Sequence, residues 1–291
     1  MYIYENKSWP NFVWDQTKIL NLLAKVKLQQ GLLLGKMKSL GFQIQGNALL
    51  ETMIEEILKS NKIEGEILDT EQVRSSIARR FGLTAENKIK SARSIDGIVE
   101  VMYDATHNFS EEITKERLCA WHRQMFPEGK SGFYQIQTGK YRDDKLGPMQ
   151  IVSGPLGMEK VHYQAPSAKI LPAQMQKLIY FINNDSTNDN IIKAAIAHLW
   201  FVILHPFDDG NGRIARAIAE MLLARGEGSS YRFYSMSSQI EKTRKEYYKI
   251  LEATQKSSLD ITDWLEWFLN ALFLAIENSQ NLLGGVLAKT D

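Results

Sequence analysis

The chain has 291 residues, 44% hydrophobic and 10% aromatic, with 35 Lys+Arg against 34 Asp+Glu. This is ample for a buried core and excludes a disordered or collagen-like chain. A net charge of +1 supplies no global field for a polyanion, so neither bulk nucleic acid nor an acidic membrane is an expected partner.

The single cysteine, Cys119, permits neither an internal disulfide nor a thiolate zinc site. The first residues do not read as a signal peptide, and no apolar stretch reaches the roughly 18 to 20 residues needed to span a bilayer. A soluble, cytoplasmic protein is the expectation.

In chain order, Trp9, Pro10, Phe12 and Trp14 form an aromatic segment that reads as packing rather than ligand binding. Residues 15–40 carry Ile19, Leu22, Leu23 and Val26 at helical spacing, with Gly41 as the expected C-cap. A second helix is expected from about Asn47 to Glu64, with Leu50, Met53, Ile54, Ile57 and Leu58 on one stripe. At about 100° per residue that stripe continues onto Asn61 and Glu64, which aims a carboxylate at the core-facing side. Gly65 ends this helix, and helical patterns follow at Asp69–Arg80, Ile95–Asn108 and Glu111–Met125, where Cys119, Trp121 and His122 read as packing.

From Phe133 to Ala165 the helical rhythm breaks among Gly132, Gly139, Gly147, Gly154, Gly157, Pro148 and Pro155. Met149–Val152 and Val161–Tyr163 suit the two strands of a β-hairpin. Helices resume at Pro172–Asn183, Asn190–Leu204, Arg213–Arg225, Ser237–Gln255 and Ile261–Gln280. Trp264, Trp267 and Phe268 read as core or as the surface of a homodimer.

The segment His205-Pro-Phe-Asp-Asp-Gly-Asn-Gly-Arg-Ile-Ala-Arg216 carries the chemistry. Pro206 biases His205 away from the right-handed helical region and ends the preceding helix there. Asp209, Gly210, Asn211 and Gly212 suit a nest of backbone N–H groups, and the helix that follows adds its N-terminal dipole. Arg213 and Arg216 share one face of that helix. A phosphate chain is the natural guest, with Asp209 placed to hold Mg²⁺ against it and His205 as the proton acceptor. A metal site made by His198 and His205 with Asp208 or Asp209 is a competing reading, set below a hydrogen-bonded core His198.

The string His205-Pro-Phe-x-Asp-Gly-Asn-Gly-Arg-x-x-Arg216 resembles the signature of the Fic family at every defined position. Ser60-x-x-x-Glu64-Gly65 resembles the inhibitory-helix motif of some Fic proteins, and Gly139-Lys-Tyr-Arg142 with its hairpin resembles their flap. The resemblance implies a mainly α fold: a small N-terminal helical domain at 1–45, then a Fic core at 46–291 with the inhibitory helix at about 47–65 and a short β-hairpin flap. It implies transfer of AMP from ATP to a Ser, Thr or Tyr hydroxyl of a protein target held as an added strand at about 142–165. His205 is then the base and Asp209 the Mg²⁺ ligand. Gly210, Asn211 and Gly212 line the anion hole, Arg213 and Arg216 hold the phosphates, and Tyr247, Tyr248 and Gln255 meet the adenine. Ser60 and Glu64 belong to the inhibitory motif, and Glu64 inhibits by occupying Arg216. Two alternatives stay open: removal of AMP with Glu64 positioning water, and a non-enzymatic nucleotide-binding regulator.

Overall fold

The computed structural model describes residues 1–81, 89–155 and 158–287, with side chains as far as 280; Gly157 of the hairpin lies outside the described residues. It is mainly α. The helices are α1 (Gln16–Lys38), α2 (Phe42–Ile63), α3 (Thr70–Arg80), α4 (Arg93–His107), α5 (Lys115–Met125), α6 (Leu171–Asn184), α7 (Asn190–Leu204), α8 (Asn211–Glu227), α9 (Met236–Lys242), α10 (Arg244–Gln255) and α11 (Thr262–Leu287). Two antiparallel pairs interrupt them: β1 (Lys130–Ser131) with β2 (Tyr134–Gln135), and β3 (Gln150–Ser153) with β4 (Lys160–Gln164).

Helix α7 runs through the centre. Asp189 caps its start by accepting from Ile191 N–H at 2.9 Å, and every residue from Ile191 to Leu204 is buried. A run this apolar has no solvent face, so its neighbours must enclose it. Full burial of each large aliphatic side chain contributes about 1.5–3 kcal/mol. Helix α8 follows after the loop 205–210 and is buried from Arg213 to Ala224. The aromatic segment packs as expected: Trp9 and Phe12 meet Trp200 of α7 edge-on at 5.9 and 5.7 Å. Trp264 and Phe268 are fully buried, which makes them core.

The structure departs from the expected elements at four places, the first being α5, which starts at Lys115 rather than Glu111 because Thr114 caps it by accepting from Arg117 N–H at 3.1 Å. Gly41 is the N-cap of α2 rather than the C-cap of α1, whose C-cap is Ser39; α2 therefore starts at Phe42 and runs without a break through residue 46. The expected single helix from Ser237 to Gln255 is two helices. Thr243 (φ −112°, ψ 31°) lies between them and donates its hydroxyl to Gln239 O, the local bond by which Thr competes with a continuing helix. The pair β1–β2 has no counterpart among the expected elements.

Candidate active site

His205 is the C-cap of α7, with φ +48° and ψ 58°; its N–H still bonds back to Phe201 O at 2.9 Å. Pro206 disfavours the ordinary helical conformation here, and His205 takes the left-handed one. Its Nδ1 lies 3.3 Å from Val202 O. A carbonyl only accepts, so Nδ1 carries the proton and Nε2 is the free base. Burial pulls the pKa of His205 down to about 4, so the ring is neutral at pH 7.

The loop is held from inside by Asn211, whose amide accepts from Phe207 N–H at 2.9 Å and donates to Phe207 O at 2.8 Å. The buried Asn211 side chain therefore shapes the nest and does not point at a guest. Gly210 (φ +75°) is the N-cap of α8 and supplies no side-chain cap. The first N–H groups of α8 are thus free of local partners, which makes the helix start an anion site.

The carboxylate of Glu64 lies in that site. A Cβ on Gly212 would run into Glu64 Oε1, so the carboxylate rests directly on the Gly212 backbone. The same oxygen accepts from Arg216 NH2 at 2.8 Å. Arg216, 2% exposed, also gives Nε–H to Ser60 Oγ and NH2 to Ser60 O, both at 2.8 Å. Its NH1 has no partner among the described residues. Burial works most strongly against the charge on Arg216, but Glu64 together with Tyr247 and Tyr248 more than offsets it and the pKa is raised. Arg213, also buried, pairs with Glu66 Oε2 at 2.7 Å and with Asn61 Oδ1 at 3.2 Å, and lies 5.0 Å over the Phe126 ring.

Asp209 keeps its carboxylate half-exposed, at 41%. Ser131 Oγ and Gly210 N–H bond to it, and Arg213 NH2 lies 3.9 Å away. Asp208 accepts from Gln137 N–H at 2.8 Å and so ties the flap's first segment to the loop. Among the described residues no group of three or more His, Cys, Asp or Glu is arranged to hold a metal ion. The two-histidine site is overturned: His198 is buried, and its Nε2 bonds Tyr247 OH at 2.9 Å.

The flap is anchored at both ends. Arg142, 3% exposed, donates to His205 O and Asp144 Oδ1 at 2.8 Å and to Pro166 O at 2.5 Å, while its N–H bonds Pro206 O at 2.8 Å. Tyr163 of β4 donates to Ile203 O at 2.8 Å. Strand β3 is exposed along its whole length. Of the residues expected at the adenine, Tyr247 is buried against His198 and Trp264, and Gln255 is buried on α10. Tyr248 is 39% exposed and donates to Ile63 O at 3.1 Å.

Two residues here were not singled out for the site from the sequence. Glu66 had no pattern pointing to it beyond lying two positions past Glu64. His122, read as packing, accepts from Gly139 N–H at Nδ1 (3.0 Å) and donates from Nε2 to Asp209 O (3.2 Å), with its ring stacked on Phe207 at 4.3 Å. It joins the flap to the loop, and no sequence signal marks that.

Residues 112–223, which contain the whole 205–216 loop, match the Fic/DOC family model; residues 2–83, which contain Glu64, match a domain of unknown function (DUF4172). Among curated proteins the chain is similar to a probable protein adenylyltransferase of Aquifex aeolicus, 22% identical over 232 residues that cover 76% of this chain and 67% of that protein. It is also similar to protein adenylyltransferase fic-1 of Caenorhabditis elegans, 35% identical over 95 residues, 32% of this chain and only 18% of that one. Among solved structures, a Fic family protein from Desulfovibrio desulfuricans G20 shares the fold with a TM-score of 0.67 at 24% identity, covering 94% of this chain and 77% of that one. A Fic domain-containing signaling protein from Bacteroides thetaiotaomicron does so with a TM-score of 0.61 at 20% identity, covering 90% and 97%. Residues 112–223 are thus similar to the Fic/DOC family over the segment that holds the site, and the helical architecture is the one the two solved Fic proteins share.

Proposed function

We propose that the protein is a protein adenylyltransferase held inactive by Glu64. The observation that carries this reading is the position of the Glu64 carboxylate, on the Gly212 backbone and bonded to Arg216. A carboxylate lying against a helix N-terminus and bonded to a buried arginine marks a site built for phosphate. While Glu64 stays there, the γ-phosphate end of ATP lacks its partner.

With Glu64 withdrawn, the triphosphate lies along the nest of Gly210, Asn211 and Gly212 with Arg213 and Arg216 on its oxygens. His205 Nε2 takes the proton from a Ser, Thr or Tyr hydroxyl of the target. That oxygen bonds to the α-phosphorus as the bond to the bridging oxygen breaks, and pyrophosphate leaves with the electron pair. Asp209 offers a half-exposed hard oxygen and would be the residue that holds a Mg²⁺ ion at this site. Such an ion neutralises phosphate charge. The target lies as an added strand on the exposed β3 edge of the flap, which Arg142 and Tyr163 hold beside His205.

Labelled-ATP transfer by Glu64→Gly onto lysate proteins tests the reading. Incorporation well above wild type, silenced by His205→Ala, is expected; equal incorporation by both would sink it. Because Glu64 is 27% exposed beside the nest, it is also placed to orient a water molecule. Release of AMP from a modified target by wild type but not by Glu64→Gly would favour hydrolytic removal of AMP, with the target hydroxyl restored and AMP as the product.

A further inference from the structure

We propose that Glu66 is a second blocking carboxylate, holding Arg213 as Glu64 holds Arg216, so that an incoming triphosphate must displace two carboxylates. This rests on the nucleotide-site reading above. Glu66 Oε2 lies 2.7 Å from Arg213 NH1, the shortest contact that guanidinium makes. Arg213 is 4% exposed and fixed over Phe126, so it cannot swing away to meet a ligand elsewhere. NH1 is shared between Glu66 and Asn61, NH2 faces Asp209 at 3.9 Å, and Nε is buried without a partner among the described residues. A phosphate that reaches this arginine brings its charge against both Glu66 and Asp209. Glu66, bonded at 2.7 Å where Asp209 stands off at 3.9 Å, is the partner it must displace.

The turn that ends α2 explains how both carboxylates reach α8. Gly65 N–H bonds Lys62 O and Glu66 N–H bonds Asn61 O, each at 3.0 Å, with Gly65 at φ +85°. This is a Schellman turn, and only glycine takes the left-handed position without penalty. Glu64, just before the glycine, and Glu66, just after it, are folded to the same side. Asn61 O accepts from both Glu64 N–H and Glu66 N–H. The turn is therefore one unit, and opening it takes the carboxylates off Arg213 and Arg216 together. The Glu66 side chain keeps 40% of its surface exposed, against 27% for Glu64, so solvent screens part of its attraction to Arg213.

Calorimetric titration with ATP of wild type, Glu64→Gly, Glu66→Gln, Glu66→Ala and Glu64→Gly/Glu66→Gln tests this. The double variant is expected to bind ATP about five- to tenfold more tightly than Glu64→Gly, and both Glu66 variants to bind more tightly than wild type by a smaller factor. Unchanged or weaker binding in the Glu64→Gly background would overturn the proposal and make Glu66 a residue that orients Arg213. If Glu64→Gly transfers no AMP while the Glu66 variants still bind ATP more tightly, the adenylyltransferase reading fails and the second lock stands. If Glu64→Gly transfers AMP while the Glu66 variants bind ATP no more tightly than their parents, the second lock fails and the adenylyltransferase reading stands.

Discussion

Arg142 donates its Nε–H to the carbonyl of His205 at 2.8 Å, so the base of the flap and the end of α7 are fixed by one side chain. The same guanidinium serves Asp144 and Pro166 O and is 3% exposed. Arg142→Ala leaves a buried carbonyl pair without donors and is expected to cost about 2–4 kcal/mol in urea unfolding. Arg142→Lys recovers little of this, because a single ammonium cannot span three acceptors in the fork geometry of arginine. A loss below about 0.5 kcal/mol would show that the flap is not held this way.

Tyr247 divides two roles that the sequence left together. Its hydroxyl bonds His198 Nε2 at 2.9 Å inside the core, and burial raises its pKa. Tyr247→Phe leaves a buried imidazole without its partner, with an expected loss of about 1–3 kcal/mol of stability. ATP affinity of the Glu64→Gly variant is expected to stay within about twofold, since a ring in the core is not an adenine contact. A large loss of affinity without loss of stability would return Tyr247 to the nucleotide.

Stability is expected to fall as pH drops from about 6.5 towards 4. Burial holds His122 and His205 at about 4 and His198 at about 3, against about 6.5 in an unfolded chain. In that window the unfolded chain binds protons that the folded one refuses, so acid favours unfolding. Glu220 acts the other way: burial pushes it up to about 7, and its contribution is lost as pH rises from about 4.5 through 7. Three histidines outweigh one carboxyl, so the urea midpoint should be lower at pH 5 than at pH 7. A flat or inverted profile would contradict the burial of these rings.

What the sequence made legible follows from how local each signal is. Helix α7 runs over Asn190–Leu204 as expected, because a long apolar run stands between the Asp189 cap and Pro206. Glu64 points at α8 because helical period alone carries the α2 stripe onto it. The nest was legible because its residues are consecutive. Gly41 was ambiguous, since glycine suits either helix end, and the two-residue strands β1 and β2 are too short to show a period. Glu66 and His122 find their partners across 147 and 87 positions, where no spacing rule reaches.

Gly212 gives the sharpest test of the nest, because substitution there acts on both states of the site. In the resting protein a Cβ would strike Glu64 Oε1, so Gly212→Ala should push the carboxylate off the start of α8 and weaken its bond to Arg216. The fold should tolerate the change. Gly212 lies in the first turn of α8 without a left-handed φ, and alanine is favoured over glycine in a helix by about 0.5–1 kcal/mol. Displacing Glu64 this way should nevertheless not activate the enzyme, since the new methyl group stands where the phosphate must approach the backbone. Gly212→Ala is therefore expected to show no AMP transfer alone. In the Glu64→Gly background it should lower ATP affinity by about tenfold or more by calorimetry, with an unfolding midpoint near that of the parent. If Gly212→Ala/Glu64→Gly transfers AMP as well as Glu64→Gly does, the phosphates do not lie against Gly212, and the nest at the start of α8 is not the nucleotide site.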